Sequence, residues 1–254
     1  MDERQQLEQA IAVQESLRGT IDDAIIDAAI ATLNEKLADL DPRQQRKLAT
    51  ILFTDIVGST RLTRGMDPEE QMALIDPLIA RMAEKVDDHG GHVCRYQGDG
   101  FKAVFGLPVA QENDPQQAIR AGLAIQAEAA RIAEDLEKEQ GLAGFQVRVG
   151  ISTGLVFSGG ETEGEDTIKG EAVNLAARLE SAAQPGTVLI SHDSYKHVRG
   201  VFDFEPLDPI EVKEFSERVV VYRVLRAKQL SFYRGIRRVE GVETRMVGRE
   251  PEFL

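Results

Sequence analysis

One cysteine, Cys94, and no tryptophan occur among the 254 residues. A disulfide framework is therefore excluded, and the chain reads as cytoplasmic. No run of about 18 apolar residues is present, so no helix of this sequence is expected to cross a bilayer. The start, MDERQQLEQA, has no apolar stretch behind it, and no secretory signal is expected. Basic residues fall short of acidic ones, 30 against 43, giving a net charge of −13. Such a surface repels nucleic-acid phosphate and anionic lipid, so neither is an expected partner. It would repel a nucleotide too, unless metal ions intervene. What is present is 42% hydrophobic residues, enough to bury a core, in a length that suits one large domain or one domain with appendages.

The first 40 residues read as helix, with apolar residues every three or four positions: Leu7, Ile11, Leu17, Ile21, Ile25, Ala28, Leu33, Leu37 and Leu40. Gly19-Thr20 breaks the pattern into two helices, and Asp41-Pro42 ends them. From Ala49 the pattern changes. ATILFTDI is a continuous apolar run of the kind that forms a buried central strand. Pro68 to Asp88 is helical, with Met72, Ile75, Leu78, Ile79, Met82 and Val86 on one side. HVCRY and FKAVFG are strands joined by the tight turn QGDG. A helix from Asp114 to about Gln140 precedes the strand FQVRVGIST. After an acidic loop, 159–166, come a helix over 171–183 and the strands TVLIS, VFDFE and RVVVYRVL. This α/β (α+β) order, β-α-β-β-α-β with C-terminal αβ additions, describes a ferredoxin-like sheet with helices on one face.

Two carboxylates draw the attention. Asp55 ends the first strand, and Asp99 sits in the hairpin turn YQGDGF. In a ferredoxin-like sheet these elements are neighbours, so both acids face one point. An Asp at a strand end is most often a turn former or cap. Two together repel unless a divalent cation lies between them, and hard oxygen ligands suit Mg²⁺ or Mn²⁺. The turn after Asp55, with Gly58, Ser59 and Thr60, offers N–H groups for a polyphosphate. A second cluster is TIKGEAVNLAARLE. Asn174 and Arg178 are four apart and share one helical face, a spacing that most often means plain solvent exposure but also suits a sugar and a phosphate. His89, His92 and Cys94 lie close, but no second pair gives a zinc spacing.

FTDIVGST, RYQGDGF and TIKGEAVNLAARLE together resemble the class III nucleotidyl cyclase catalytic domain, the adenylate and guanylate cyclase fold, from about Ala49 to Ala227. The resemblance implies that Asp55, Asp99 and the Ile56 carbonyl hold two Mg²⁺ or Mn²⁺ ions. It implies that Asn174 orients the ribose, that Arg178 stabilises charge on the α-phosphoryl, and that Lys213 meets the terminal phosphates. Thr167 stands at the adenine-reading position. Arg95 stands where the family usually has lysine, and neither residue fits the guanine pattern, so ATP is the expected substrate. The site would form between two chains, making a homodimer. The implied organisation is an N-terminal helical segment (1–45), the cyclase domain (46–227) and a linker (228–254). TRMVGREPEFL resembles the entry to an ATPase domain, although no GxxxxGK[ST] loop is present.

Two other readings are open. A diguanylate cyclase is disfavoured, because Gln97 and Gly100 replace a glycine and an acid of its signature. A cyclase-like module that binds nucleotide or dimerises without turnover, and regulates a downstream domain, is supported by Arg95.

Overall fold

The computed structural model describes residues 3–16, 18, 26–27, 29–33, 36, 46–158, 168–211, 218–228, 236–239 and 242–245. The expected break at Gly19-Thr20, the stop at Asp41-Pro42 and the acidic loop 159–166 lie outside the described residues. Helix α1 spans Glu3–Ser16. The apolar run then forms β1, Arg46–Ile56. A short helix α2, Ser59–Leu62, and a long one α3, Pro68–Asp87, follow. The next elements are β2, His92–Gln97, β3, Gly100–Phe105, and α4, Asp114–Gln140. They lead into β4, Val147–Ser158, β5, Ile168–Lys169, and α5, Glu171–Ala182. Beyond these lie β6, Val188–Ser191, α6, His192–Val198, β7, Phe202–Pro206, and β8, Val221–Ala227. Strands β9, Ile236–Val239, and β10, Val242–Arg245, pair as a separate ribbon.

The main sheet runs β2-β3-β1-β4-β6-β8-β7, with β5 on β4. Strand β1 is central because its residues are apolar on both sides and demand two covers. Leu52 and Ile56 face the core built by α3 and α4. Ala49 and Ile51 face the opposite side, where Ala172 and Ala176 of α5 pack. The two helices of the βαββαβ unit thus share one face, and the added α5 covers the other. Helix α3 starts at a capping box: Asp67 accepts from the Glu70 N–H at 2.9 Å, and Glu70 accepts from the Asp67 N–H at 3.1 Å. Its buried stripe is Ile75, Leu78, Ile79, Met82, Ala83 and Val86. Met72, expected in that stripe, is 62% exposed. It lies a turn before the helix meets the sheet and overhangs an open cavity instead.

Helix α5 lies unusually close to β4. A Cβ on Gly150 would fall 2.1 Å from the Glu180 nitrogen and 2.3 Å from the Ala176 oxygen. Two small residues per side, Gly150 with Gly154 and Ala172 with Ala176, therefore set the distance of α5 from the sheet.

Candidate active site

The site starts from backbone register. Asp55 of β1 is paired with Gly100 of β3 on one side and with Arg148 of β4 on the other. The turn between β2 and β3 runs through Gly98, at φ +60°, and Asp99. The Ile56 N–H donates to the Asp99 carbonyl at 3.2 Å, which ties that turn to the end of β1. The two acids expected to meet are thereby brought together, close enough that Asp99 acts on the charge of Asp55. Burial pushes the Asp55 carboxyl above its ordinary range, Asp99 pushes it further, and Arg148 pulls it back.

Asp99 is held from a second direction, where the Ser59 hydroxyl donates to its carboxylate. The strand leaves β1 through Val57, whose N–H donates to the Gln146 carbonyl at 2.8 Å. It then turns at Gly58, at φ +69°, a conformation that favours glycine. The N–H groups of Ser59 and Thr60 donate to no other backbone group among the described residues. A cavity of about 450 Å³ opens there, with Ser59, Thr60, Thr63, Arg64 and Asp99 among its lining. The turn is thus free to hold a polar ligand next to the carboxylates.

Arg148 and Glu180, which the sequence reading passed over, complete the arrangement. Arg148 Nη2 donates to Asp55 Oδ2 at 2.9 Å, and its Nη1 donates to the Ser181 carbonyl at 3.3 Å. Its Nε lies 3.2 Å from Oε1 of Glu180, a residue only 9% exposed. Burial raises the Glu180 carboxyl above its ordinary range, against the pull of Arg148. An isolated charge inside the apolar strand FQVRVGIST was the available signal for Arg148. Its meaning depended on which strand lay beside it.

Asn174 and Arg178 are both exposed on α5, on the side away from the sheet, while Glu180 points inward. Arg95 is exposed on β2, in register with Lys102 of β3, a lysine 3% exposed. Burial, together with the Arg95 charge, pushes the Lys102 ammonium below its ordinary range. Thr167 and Lys213 lie outside the described residues.

The donor set suits a divalent cation only in part. Among the described residues no group of three or more His, Cys, Asp and Glu side chains converges as a cage. The carboxylate pair is a hard-oxygen site that repels itself when empty, and it needs further oxygens to complete six ligands. The Ile56 carbonyl and the oxygens of a polyphosphate at the 58–60 turn are the oxygens at hand. Among the described residues no helix is long and apolar enough to cross a membrane.

Residues 42–226 match the family model described as the adenylate and guanylate cyclase catalytic domain. Adenylate cyclase 1 of Rhizobium meliloti (strain 1021) is 31% identical over 185 residues, 71% of this chain and 28% of that protein. The chain spans well under half the length of the curated relatives it matches. The solved structure of the adenylyl cyclase CyaB from P. aeruginosa superposes with a TM-score of 0.69 at 31% identity, covering 73% of this chain and 97% of that one. The guanylyl cyclase Cya2 superposes with a TM-score of 0.68 at 26% identity, covering 74% and 97%. Similarity of fold alone therefore does not separate the two bases.

Proposed function

Since this chain belongs to the adenylate and guanylate cyclase catalytic-domain family, we propose that it is an adenylate cyclase that converts ATP to 3′,5′-cyclic AMP and pyrophosphate. The observation that carries this reading is the meeting of Asp55 and Asp99 beside the open 58–60 turn. Asp55, Asp99 and the Ile56 carbonyl would hold two Mg²⁺ or Mn²⁺ ions. Bound ions of this kind lower the pKa of a coordinated hydroxyl and neutralise triphosphate charge. The N–H groups of the 58–60 turn receive phosphate oxygens, and Lys213 the terminal ones. Arg148, at 2.9 Å from Asp55, adds a positive charge beside the carboxylates. The ribose 3′-hydroxyl loses its proton to solvent and its oxygen bonds to the α-phosphorus, while the bond from that phosphorus to the α–β bridging oxygen breaks and pyrophosphate departs with the electron pair.

Asn174 and Arg178 face away from the sheet that carries Asp55. In one chain they cannot easily share a substrate with it, and a second copy of the chain brings them to bear. The protein is thus read as a cytoplasmic homodimer with two sites. In each, Asn174 of the partner subunit orients the ribose and Arg178 of the partner subunit stabilises charge at the α-phosphorus. ATP is favoured over GTP because Arg95 and Thr167 can donate to and accept from adenine, and no glutamate stands at position 95 to read guanine. The 46–227 domain would work within a longer protein, joined through residues 1–45 and 228–254 to regulatory or ATPase parts.

One observation favours the other reading, a module that binds nucleotide without turnover: Asp55 is already ion-paired, to Arg148. Product formation from ATP and from GTP, each with Mn²⁺ and with Mg²⁺, decides between them. Cyclic AMP that vanishes in Asp55→Ala supports the cyclase. Cyclic GMP corrects the base, and no product from a folded chain that binds ATP favours the module.

A further inference from the structure

The Arg148–Glu180 contact is incomplete. Arg148 Nε and Glu180 Oε1 stand 3.2 Å apart, yet each is a buried atom without a hydrogen bond among the described residues. Arg148 spends its geometry elsewhere, on Asp55 through Nη2 and on the Ser181 carbonyl through Nη1. Two buried, oppositely charged atoms at bonding distance but out of alignment are a costly arrangement. The Asp55 and Ser181 contacts hold the guanidinium in its present orientation.

We propose that Glu180 is a positioning residue that receives Arg148 when Asp55 takes up a divalent cation. This rests on the metal reading of Asp55 above. An ion on Asp55 would compete with Arg148 Nη2 for the carboxylate oxygens and would repel the guanidinium. Arg148 then turns to its other acid, and the Nε–Oε1 pair closes into a hydrogen bond. Without the Glu180 charge, the displaced guanidinium has no acid to accept it and competes with the ion for Asp55.

The arrangement also gives the metal end a lever on α5. The Glu180 backbone lies against Gly150 with no room for even a methyl group, so α5 sits directly on the strand that carries Arg148. The same helix carries Asn174 and Arg178 on its outer side. A tighter Arg148–Glu180 bond fixes that helix more firmly when the carboxylates are loaded.

The test is Mn²⁺ binding without nucleotide, read from the free-ion signal in electron paramagnetic resonance, on four chains: wild type, Glu180→Gln, Arg148→Met and the double variant. The Mn²⁺ Kd is expected to rise about three- to tenfold in Glu180→Gln. In the Arg148→Met background the same change is expected to shift Kd less than twofold, because the two residues act as one unit. An unchanged Kd in Glu180→Gln overturns the proposal. So does an equal rise in both backgrounds, which marks a plain field effect of the lost charge. If Glu180→Gln loses its fold, Glu180→Asp carries the same test, since it keeps the charge but draws the carboxylate back by one methylene. Wild type that binds Mn²⁺ no better than Asp55→Ala overturns the metal reading and this inference together. Wild-type binding with an insensitive Glu180 overturns this inference alone.

Discussion

Gly100 faces Asp55 across the β1–β3 pair, and a Cβ on Gly100 would fall 2.0 Å from the Thr54 carbonyl oxygen. That is backbone, which cannot rotate aside as a side chain would. The hairpin that carries Asp99 reaches the end of β1 only because position 100 has no side chain. Gly100→Ala is expected to destabilise the fold by about 1–3 kcal/mol or more, as overpacking does. Urea unfolding of the purified variant measures it, and a midpoint equal to wild type would contradict the close approach.

The raised Asp55 carboxyl has a consequence for stability. The folded chain binds a proton there more tightly than the unfolded chain does. Between the unfolded value and the raised folded one, stability therefore falls as pH rises, and at neutral pH the ionised Asp55 is a net cost. In metal-free buffer at pH 7, Asp55→Asn is expected to raise Tm by about 2–4 °C, the effect of ~1 kcal/mol in a domain of this size. The gain is expected to shrink as pH falls through the raised value toward the ordinary carboxylate range. A lower Tm for the variant at pH 7 would mean that the Arg148 pair outweighs burial.

The proposed sharing of each site between two chains predicts complementation. Asp55→Ala and Arg178→Ala are each expected to be inactive alone. Mixed in equal amounts and allowed to exchange, half of the dimers carry one intact site of two. About a quarter of wild-type cyclic AMP formation should then return. No recovery in a mixture shown to contain heterodimers would sink the shared-site reading.

Arg95 sits at the surface of β2 against the buried Lys102. As the proposed adenine reader it should tolerate lysine, which keeps a donor, better than glutamate. Arg95→Glu is expected to raise the KM for ATP about tenfold or more, equivalent to ~1.4 kcal/mol, and to improve use of GTP. Steady-state kinetics with both nucleotides on Arg95→Lys and Arg95→Glu check this. Equal effects of both changes on both nucleotides would remove Arg95 from base selection.

Much of this was legible in order and periodicity. The run ATILFTDI had to be a two-sided buried strand, and Ile51 and Leu52 each proved fully buried, on opposite faces. The helix over Pro68–Asp87 announced itself by the spacing of Ile75, Leu78, Ile79, Met82 and Val86. The turn QGDG placed Asp99 at a hairpin tip. Met72 was misread because periodicity reports which side of a helix a residue is on, and not how far along the helix the sheet extends.

The sequence by itself determined the strand and helix order, the two carboxylates at adjacent strand tips, and the pairing of Asn174 with Arg178 on one helix face. Those features depend on local spacing, which the chain carries wherever it folds. Only the tertiary structure decided that Arg148 stands between Asp55 and Glu180, and that α5 lies on β4 closely enough for Glu180 to reach it. Such contacts join residues 32 to 93 positions apart in sequence. They come from strand register and from the absence of side chains at Gly150 and Gly100, where backbone meets backbone.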